Sequence, residues 1–174
     1  MNFELFDSMP PEEAREHLRG FLDTECIAMD VMVPAAQQAG VRMDYSIASL
    51  PSVLKWILSG VQITRIPVPA TEPQWIRDFH KDGLIDFPEE SKYLILRAAY
   101  YLGETFVRAN QALFWTVGDS ESVEKNMPVI GGFRSGDEMA PLMVCENALG
   151  AILGDGEKES CIDVMVHSWV GFMP

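Results

Sequence analysis

Acidic side chains cluster in two neighbouring segments of the C-terminal half of the chain. Asp119, Glu121 and Glu124 lie in the serine-rich stretch GDSESVEKN, and Asp137 and Glu138 follow an apolar run. Carboxylates grouped in this way can attract the Lys and Arg side chains of a partner protein. A calcium loop is excluded, because it needs alternating acids, a central glycine and a distal glutamate. We predict that these five acids contact a basic partner; the alternative is that they are only solvated.

A second candidate site is a polar stripe in an otherwise apolar segment. Arg97, Tyr101, Glu104 and Arg108 advance by four, three and four residues, which places them on one side of a helix. One interpretation is an ion-paired seam that locks the helix to the sheet, with Gly103 permitting close backbone approach. The other is a pocket that uses Arg97, Tyr101 and Glu104 for binding or catalysis. The seam is favoured, because buried charges are usually paired.

The histidines do not suggest a metal site. His17, His80 and His167 are far apart and belong to no ligand motif. Glu13 and His17 stand four residues apart and can share one helix face, but a zinc site needs at least one further ligand. The glycines of the chain match neither a dinucleotide-binding motif nor a phosphate-binding loop. We expect no metal and no cofactor.

The cysteines do not suggest a nucleophile. Cys26, Cys145 and Cys161 are odd in number and form no C-x-x-C pair, so we expect a reducing compartment. Cys161 and His167 fall on one face of a predicted strand about 20 Å apart, too far for a nucleophile and its base. A Cys145–His167 pair stays open, although a buried, inert Cys145 is favoured. Without a convincing catalytic site, we predict that the protein is not an enzyme.

The chain is strongly acidic. Its 174 residues include 13 Lys and Arg against 26 Asp and Glu, a net charge of −13. Residues 113–174 alone carry ten acidic and three basic side chains. This charge repels nucleic-acid phosphates and anionic lipid, which bind through Lys and Arg. No stretch resembles a signal peptide or a membrane span. We expect a cytoplasmic protein that binds neither nucleic acid nor membrane and whose charge speeds the approach of a basic protein.

Proline and glycine positions divide the N-terminal part of the chain into elements. The length and an apolar fraction of 48% are typical of a single domain, residues 1–174. A first helix is expected over residues 10–32, with Ser8 as its cap and Pro34 at its end. The clearest element is a helix over residues 88–110, roughly 34 Å long, which we expect to be central to the fold.

Shorter elements lie between these two helices. A helix is predicted to begin at Ser49 and to end at Gly60 as a left-handed cap. The alternating segment 61–66 indicates a strand. Another short helix is predicted between a cap at Thr71 and an end at Gly83.

The C-terminal half predicts strands, then a helix, then a final strand. Segments 113–118 and 128–133 can pair as a hairpin with a long connection. A helix is expected to begin at Pro141, and β-branched residues alternate in segment 161–172, which indicates a strand. The fold class is therefore α+β, with a long central helix and several shorter helices packed on a small, mainly antiparallel sheet.

The same half carries a recognisable order of sequence stretches. It contains AAYYLGETFVRANQALFWTVG, then NMPVIGGF, then APLMVCENAL. From Tyr93 to Leu149 this order resembles a module of several uncharacterised bacterial protein families, in which a long helix with a Tyr/Leu-Gly-Glu segment runs into a strand bearing a tryptophan. Small proteins of that kind are similar to the immunity proteins encoded beside bacterial toxins. The resemblance implies a toxin inhibitor and carries no catalytic residues.

Three functional hypotheses remain at this stage. The favoured one is a non-enzymatic protein-binding domain, most concretely a bacterial immunity protein that blocks a basic toxin domain through an acidic face. The alternative is a small enzyme or ligand-binding domain with its pocket against helix 88–110. The third is a scaffold whose acidity serves only solubility.

Overall fold

The fold is known from a computed structural model that describes residue 6, residues 8–134 and residues 136–174. The helices are α1 Pro11–Gln38, α2 Leu50–Leu58, α3 Gln74–Phe79, α4 Glu89–Ala109, α5 Pro141–Asp155 and α6 Ser160–Gly171, with a 3-10 turn Ile47–Ser49 before α2. The strands are β1 Thr64–Ile66, β2 Leu84–Asp86, β3 Phe114–Val117 and β4 Pro128–Gly131. None of the helices described is both long and apolar enough to cross a membrane.

The strands form two separate antiparallel ribbons, β1–β2 and β3–β4. Phe114 pairs with Gly131 and Val117 with Pro128, so the predicted hairpin and its long connection are confirmed. The α+β class is confirmed as well. Strand β2 was not predicted, because its three residues carry too little periodicity to be recognised.

Helix α4 is the central element, as predicted. It begins after Pro88, and Glu89 and Glu90 lie in its first turn, where acids favour the positive end of the helix dipole. Its buried side chains include Ile95, Ala98, Tyr100, Tyr101, Leu102 and Phe106. They pack against α1, α2, α5 and both strands of the hairpin. The helix therefore organises most of the core.

Gly103 is the point of closest packing between α4 and the hairpin. A Cβ atom at this position would overlap the ring of Trp115 on β3 and would also crowd Pro141. Gly103 was predicted to permit close approach of a backbone, but the atoms closest to its Cβ position belong to side chains.

Helix α1 is longer than predicted. It runs through Pro34 to Gln38, because a proline removes one hydrogen bond while Met32 and Ala36 remain buried on either side. After the helix end, the chain turns at Gly40, whose φ of 72° lets the Val41 N–H reach the Ala36 carbonyl at 2.8 Å. The predicted cap Ser8 is also wrong, since Pro10 occupies the cap position without a side-chain hydrogen bond.

Two further boundary predictions for α2 are wrong. Ser49 makes no side-chain cap bond to α2, because its hydroxyl donates instead to the Ser46 carbonyl at 2.6 Å. Gly60 is not a left-handed cap, since the helix ends at Ser59 in a right-handed conformation.

Strand β1 covers only half of the predicted segment, and α3 begins after Pro73 and not at Thr71. Gly83 does not end that helix. It has a φ of 93° and enters β2, where a Cβ atom would collide with the Ile66 carbonyl of β1.

The predicted final strand, residues 161–172, is wrong, because the segment forms helix α6. Ile162 and Val166 are buried, whereas Val164 between them is 65% exposed. A strand would bury all three, but a helix brings positions four apart to one face and turns the middle one away. Asp163 accordingly pairs with Lys55 of α2 at 2.7 Å.

Candidate functional site

The two predicted acidic segments meet beside the β3–β4 hairpin. Met139 and Ile130 exchange backbone hydrogen bonds of 2.7 and 3.0 Å, so the chain after β4 returns alongside that strand. The Asp119 N–H then donates to Oε2 of Glu138 at 2.8 Å. This bond joins the β3–β4 connection to the returning segment.

The β3–β4 connection is held by hydrogen bonds. The Gly118 N–H donates to the Met127 carbonyl at 2.8 Å, and the Asn126 N–H donates to the Gly118 carbonyl at 3.2 Å. Asn126 has a φ of 63°, and its side-chain amide donates to the carbonyls of Phe6 and Met9 at 2.7 and 3.0 Å. The acids of this connection are therefore carried on a constrained backbone.

A cavity of about 470 Å³ lies between these segments, and we name it the acid cleft. It is lined by Asp119, Ser122, Glu124, Gly136, Asp137, Glu138 and Trp169. Among these described residues, four are acidic and none is Lys or Arg. Glu121 does not line the cleft; its N–H donates to Oδ1 of Asp119 at 2.8 Å. Four of the five predicted contact residues therefore share one cavity.

Trp169 gives the acid cleft an aromatic wall. Its ring packs against Phe133 and Phe172 at centroid distances of 5.1 and 5.8 Å. The Arg134 N–H donates to the Phe172 carbonyl at 2.9 Å, which holds the end of α6 beside the segment after β4. Sequence reasoning missed Trp169, because it assigned this segment to a strand.

The polar stripe on α4 forms an ion pair within the helix. Nε of Arg108 lies 2.7 Å from Oε1 of Glu104, and the two side chains are 52% and 19% exposed. The Arg108 guanidinium also lies 3.8 Å from the centroid of the Tyr45 ring. This contact ties the loop before α2 to α4. The ion-paired seam was predicted to lock the helix to the sheet, but it joins the helix to this loop.

Glu25 of α1 belongs to the same neighbourhood. Burial raises the pKa of Glu25 above its ordinary value, the nearby Glu104 carboxylate raises it further, and Arg108 partly opposes both. Two acids and one Arg thus share a partly buried contact between α1 and α4. Removal of either neighbour should change the pKa of Glu25.

The predicted pocket of Arg97, Tyr101 and Glu104 does not form as one cavity. Tyr101 is fully buried, and its hydroxyl accepts from the Tyr45 N–H at 3.1 Å and bonds Oγ of Ser49 at 2.7 Å. Arg97 lines a separate cavity of about 180 Å³. Of the three residues, only Arg97 contributes to that cavity.

A larger cavity against α4 lies on the α1 side, and we name it the α1–α4 pocket. It has a volume of about 400 Å³ and is lined by Phe6, His17, Gly20, Phe21, Thr24, Leu96, Tyr100, Pro128 and Leu142. Among the described residues that line the pocket, none is Asp, Glu, Lys or Arg. The His17 ring packs edge-on against Phe6 with centroids 5.1 Å apart.

Three oxygens form a polar corner of the α1–α4 pocket. The hydroxyls of Thr24 and Tyr100 are 2.6 Å apart, and they lie 2.9 and 2.8 Å from the Phe21 carbonyl oxygen. Burial is the largest cause that raises the pKa of Tyr100 above its ordinary value. The Tyr100 hydroxyl is therefore protonated and neutral near pH 7.

Gly20 lies within α1 at the wall of this pocket. A Cβ atom there would meet nothing within 4 Å, so packing does not require a glycine. Glycine inside a helix is about 0.5–1 kcal/mol less favourable than alanine. Sequence reasoning missed the position, although a glycine inside a helical pattern is itself a signal that asks for a reason.

Cys145 is not activated as a nucleophile by its surroundings. Burial raises the pKa of Cys145 to about 12, so its thiol is protonated near neutral pH and is a poor nucleophile. His167 is exposed on α6. Cys161 and His167 lie on a helix and not on a strand, so the distance of about 20 Å expected for a strand is wrong; six residues rise only about 9 Å along a helix.

In the part of the chain that the structure describes, no group of three or more His, Cys, Asp or Glu side chains is arranged to hold a metal ion.

Comparison with known proteins gives no information on the site. No family model, no curated protein and no solved structure matches the chain. The resemblance of residues 93–149 to immunity-like bacterial families therefore stays a prediction.

Proposed function

We propose that the protein is a non-enzymatic binding domain that holds a basic segment of a partner protein in the acid cleft. Most concretely, it is a bacterial immunity protein that acts in the cytoplasm and blocks a basic toxin domain. One observation carries the proposal: two acidic segments that are separate in sequence line a single cavity with Trp169 on its wall.

The chemistry of the acid cleft suits a Lys or Arg side chain. A carboxylate binds a guanidinium or ammonium through charge-assisted hydrogen bonds, which are about twice as strong as neutral ones. An aromatic face adds a cation–π attraction of about 0.5–2 kcal/mol. Asp119, Glu124 and Glu138 supply carboxylates to the lining of the cleft, and Trp169 supplies an aromatic side chain.

The constrained backbone around the cleft favours binding without reordering. The connection is closed by the Gly118–Met127 bond and tied down by Asn126. Trp169 is packed against Phe133. A site that is ordered before binding loses less conformational entropy when the partner arrives.

The net charge supports the same partner chemistry. A potential from 13 excess negative charges attracts a basic protein and can raise its association rate by about 10- to 1,000-fold at low salt. Screening then makes association sensitive to salt, since the Debye length falls from about 30 Å at 0.01 M to 8 Å at 0.15 M.

The test is the binding kinetics of a basic protein that co-purifies with the chain from its source cells. Co-purification alone does not support the cleft, so association and dissociation are measured by stopped flow at both salt concentrations. The cleft variant Asp119→Asn, Glu124→Gln, Glu138→Gln should lower the association rate and raise the dissociation rate. Direct contacts act mainly on dissociation.

A matched variant removes the same charge elsewhere. Glu13→Gln, Glu16→Gln, Asp23→Asn changes three exposed acids on α1. It should lower the association rate modestly and leave dissociation unchanged, because it weakens only the long-range field. Glu121→Gln should have a small effect, since Glu121 does not line the cleft.

Two outcomes would overturn the proposal. One is that no basic protein co-purifies. The other is that the cleft variant and the α1 variant give the same association and dissociation rates. The cleft acids would then act only through the overall charge of the protein.

A further inference from the structure

We propose that the α1–α4 pocket binds a small neutral molecule with an aromatic body and one hydrogen-bond donor, such as a phenol. The inference concerns a different cavity from the acid cleft and does not depend on the partner-binding proposal.

The size and lining of the pocket define the class of ligand. A volume of about 400 Å³ lies within the range of about 300–1,000 Å³ that is typical of small-molecule sites. The apolar walls are formed by Phe21, Leu96, Pro128 and Leu142. Among the described lining residues there is no carboxylate, Lys or Arg, so a charged ligand would lose hydration without gaining a permanently charged partner. The ligand is therefore neutral and largely apolar.

The polar corner defines the hydrogen bond that the ligand makes. Thr24, Tyr100 and the Phe21 carbonyl form a triangle of three oxygens, but the two hydroxyls bring only two protons. Both protons are used within the triangle, so the lone pairs of the hydroxyls are left as acceptors. Thr24 is the exposed member of the three. A ligand that donates a hydrogen bond to this corner can therefore bind without breaking any bond of the triangle.

Gly20 is the observation that separates this pocket from an accidental gap. A larger side chain at this position would be tolerated by the surrounding packing, since a Cβ atom meets nothing within 4 Å. It would also favour the helix. Gly20 lies on the same face of α1 as His17 and Thr24, so a larger side chain would project toward the pocket that all three line. The glycine therefore keeps the pocket open at the expense of helix stability.

The experiment uses the full chain and three probes of similar size. 4-Methylphenol, toluene and 4-methylbenzoate are titrated separately while amide shifts are followed by two-dimensional NMR. We expect 4-methylphenol to bind with a Kd of about 0.1–1 mM, with the largest shifts at Gly20, Phe21 and Thr24. Toluene should bind about fivefold more weakly, because it lacks the donor. 4-Methylbenzoate should not bind measurably.

Two variants test the wall and the polar corner separately. Gly20→Leu should weaken 4-methylphenol binding by at least about tenfold while raising the melting temperature by about 2–3 °C. The opposite signs distinguish a filled pocket from a misfolded chain. Thr24→Val keeps the shape and removes one acceptor, so it should weaken 4-methylphenol about fivefold and leave toluene unchanged.

The matched control is Cys26→Leu, which adds the same side chain at an exposed position of α1 that does not line the pocket. It should leave the binding of 4-methylphenol unchanged. The proposal is overturned if wild-type protein shows no saturable binding of 4-methylphenol. It is equally overturned if Gly20→Leu binds as well as wild type, or if toluene and 4-methylphenol bind alike.

Discussion

Gly103 and Gly20 lie inside the two longest helices of the protein, yet their surroundings are opposite. At Gly103 the Trp115 ring occupies the space that a Cβ atom would need. At Gly20 a Cβ atom would meet no described atom within 4 Å beyond its chain neighbours and the backbone of its own helix, and the residue lines the α1–α4 pocket. In a helix both glycines carry the same entropic penalty.

The two glycines differ in whether packing requires them. Gly103 lets the hairpin lie directly on α4, so its penalty is offset by burial of Trp115 and its neighbours. The penalty at Gly20 is not offset by any such contact among the residues that the structure describes. A helix glycine that packing does not require is therefore a stronger indication of a binding site than a glycine that packing requires.

The largest effect is expected for Gly103→Ala. The added methyl group must displace the Trp115 ring, and overpacking of this kind destabilises a protein by about 1–3 kcal/mol even though alanine favours the helix. Urea unfolding of the variant and of wild type measures the difference. A variant at least as stable as wild type would show that Trp115 moves aside freely and that packing does not require Gly103.

A smaller effect of opposite sign is expected for Gly20→Ala. With nothing near the new methyl group, the free energy of unfolding should rise by about 0.5–1 kcal/mol. The same urea experiment applies. A loss of stability would mean that the space is needed by the folded chain, and Gly20 would then resemble Gly103.

The smallest effect concerns the charges between α1 and α4. The pKa of Glu25 is raised in the folded state, chiefly by burial and then by Glu104. The native state therefore binds this proton more tightly than the unfolded chain, and the stability it contributes is lost as the pH rises through the raised pKa. Glu25→Gln should match wild type below the ordinary pKa of 4.5 and exceed it slightly at pH 7, by less than about 1 kcal/mol.

The matched variant for this charge cluster is Glu104→Gln. It should lower the pKa of Glu25, measured by NMR titration, because it removes the second cause of the shift. It should change stability by less than about 1 kcal/mol, since its partner Arg108 is half exposed. An unchanged Glu25 pKa would contradict this account. A loss of several kcal/mol in the free energy of unfolding would also contradict it and would favour a buried ion pair at Glu104.

Elements with strong local signals could be predicted from the sequence. Helix α4 has a proline before its start, acids in its first turn and apolar residues on most of its surface, and its bounds agree with the prediction within one residue. The β3–β4 hairpin was also recognised. Segment 161–172 was not, because buried positions 162 and 166 fit a period of two as well as a spacing of four. Only the exposed Val164 distinguishes them, and exposure is not visible in the residue type.

The acids of the candidate site were predicted, but their arrangement was not. Asp119 and Glu138 meet because Met139 bridges Ile130, a pairing between backbone groups that no side-chain pattern encodes. Trp169 reaches the same cavity only because α6 is a helix. The α1–α4 pocket depends on four different elements, so no single stretch of sequence contains its signal.

By itself, the sequence determined the charge of the protein, the absence of familiar ligand motifs, the central helix and the identity of the acidic residues, since each of these is a property of composition or local spacing. Only the tertiary structure decided which acids share a cavity, which helix glycine packs against another side chain and which lines a pocket, and that the last segment is helical. Those features depend on contacts between residues distant in sequence, and their free energy comes from packing and burial that no local pattern records.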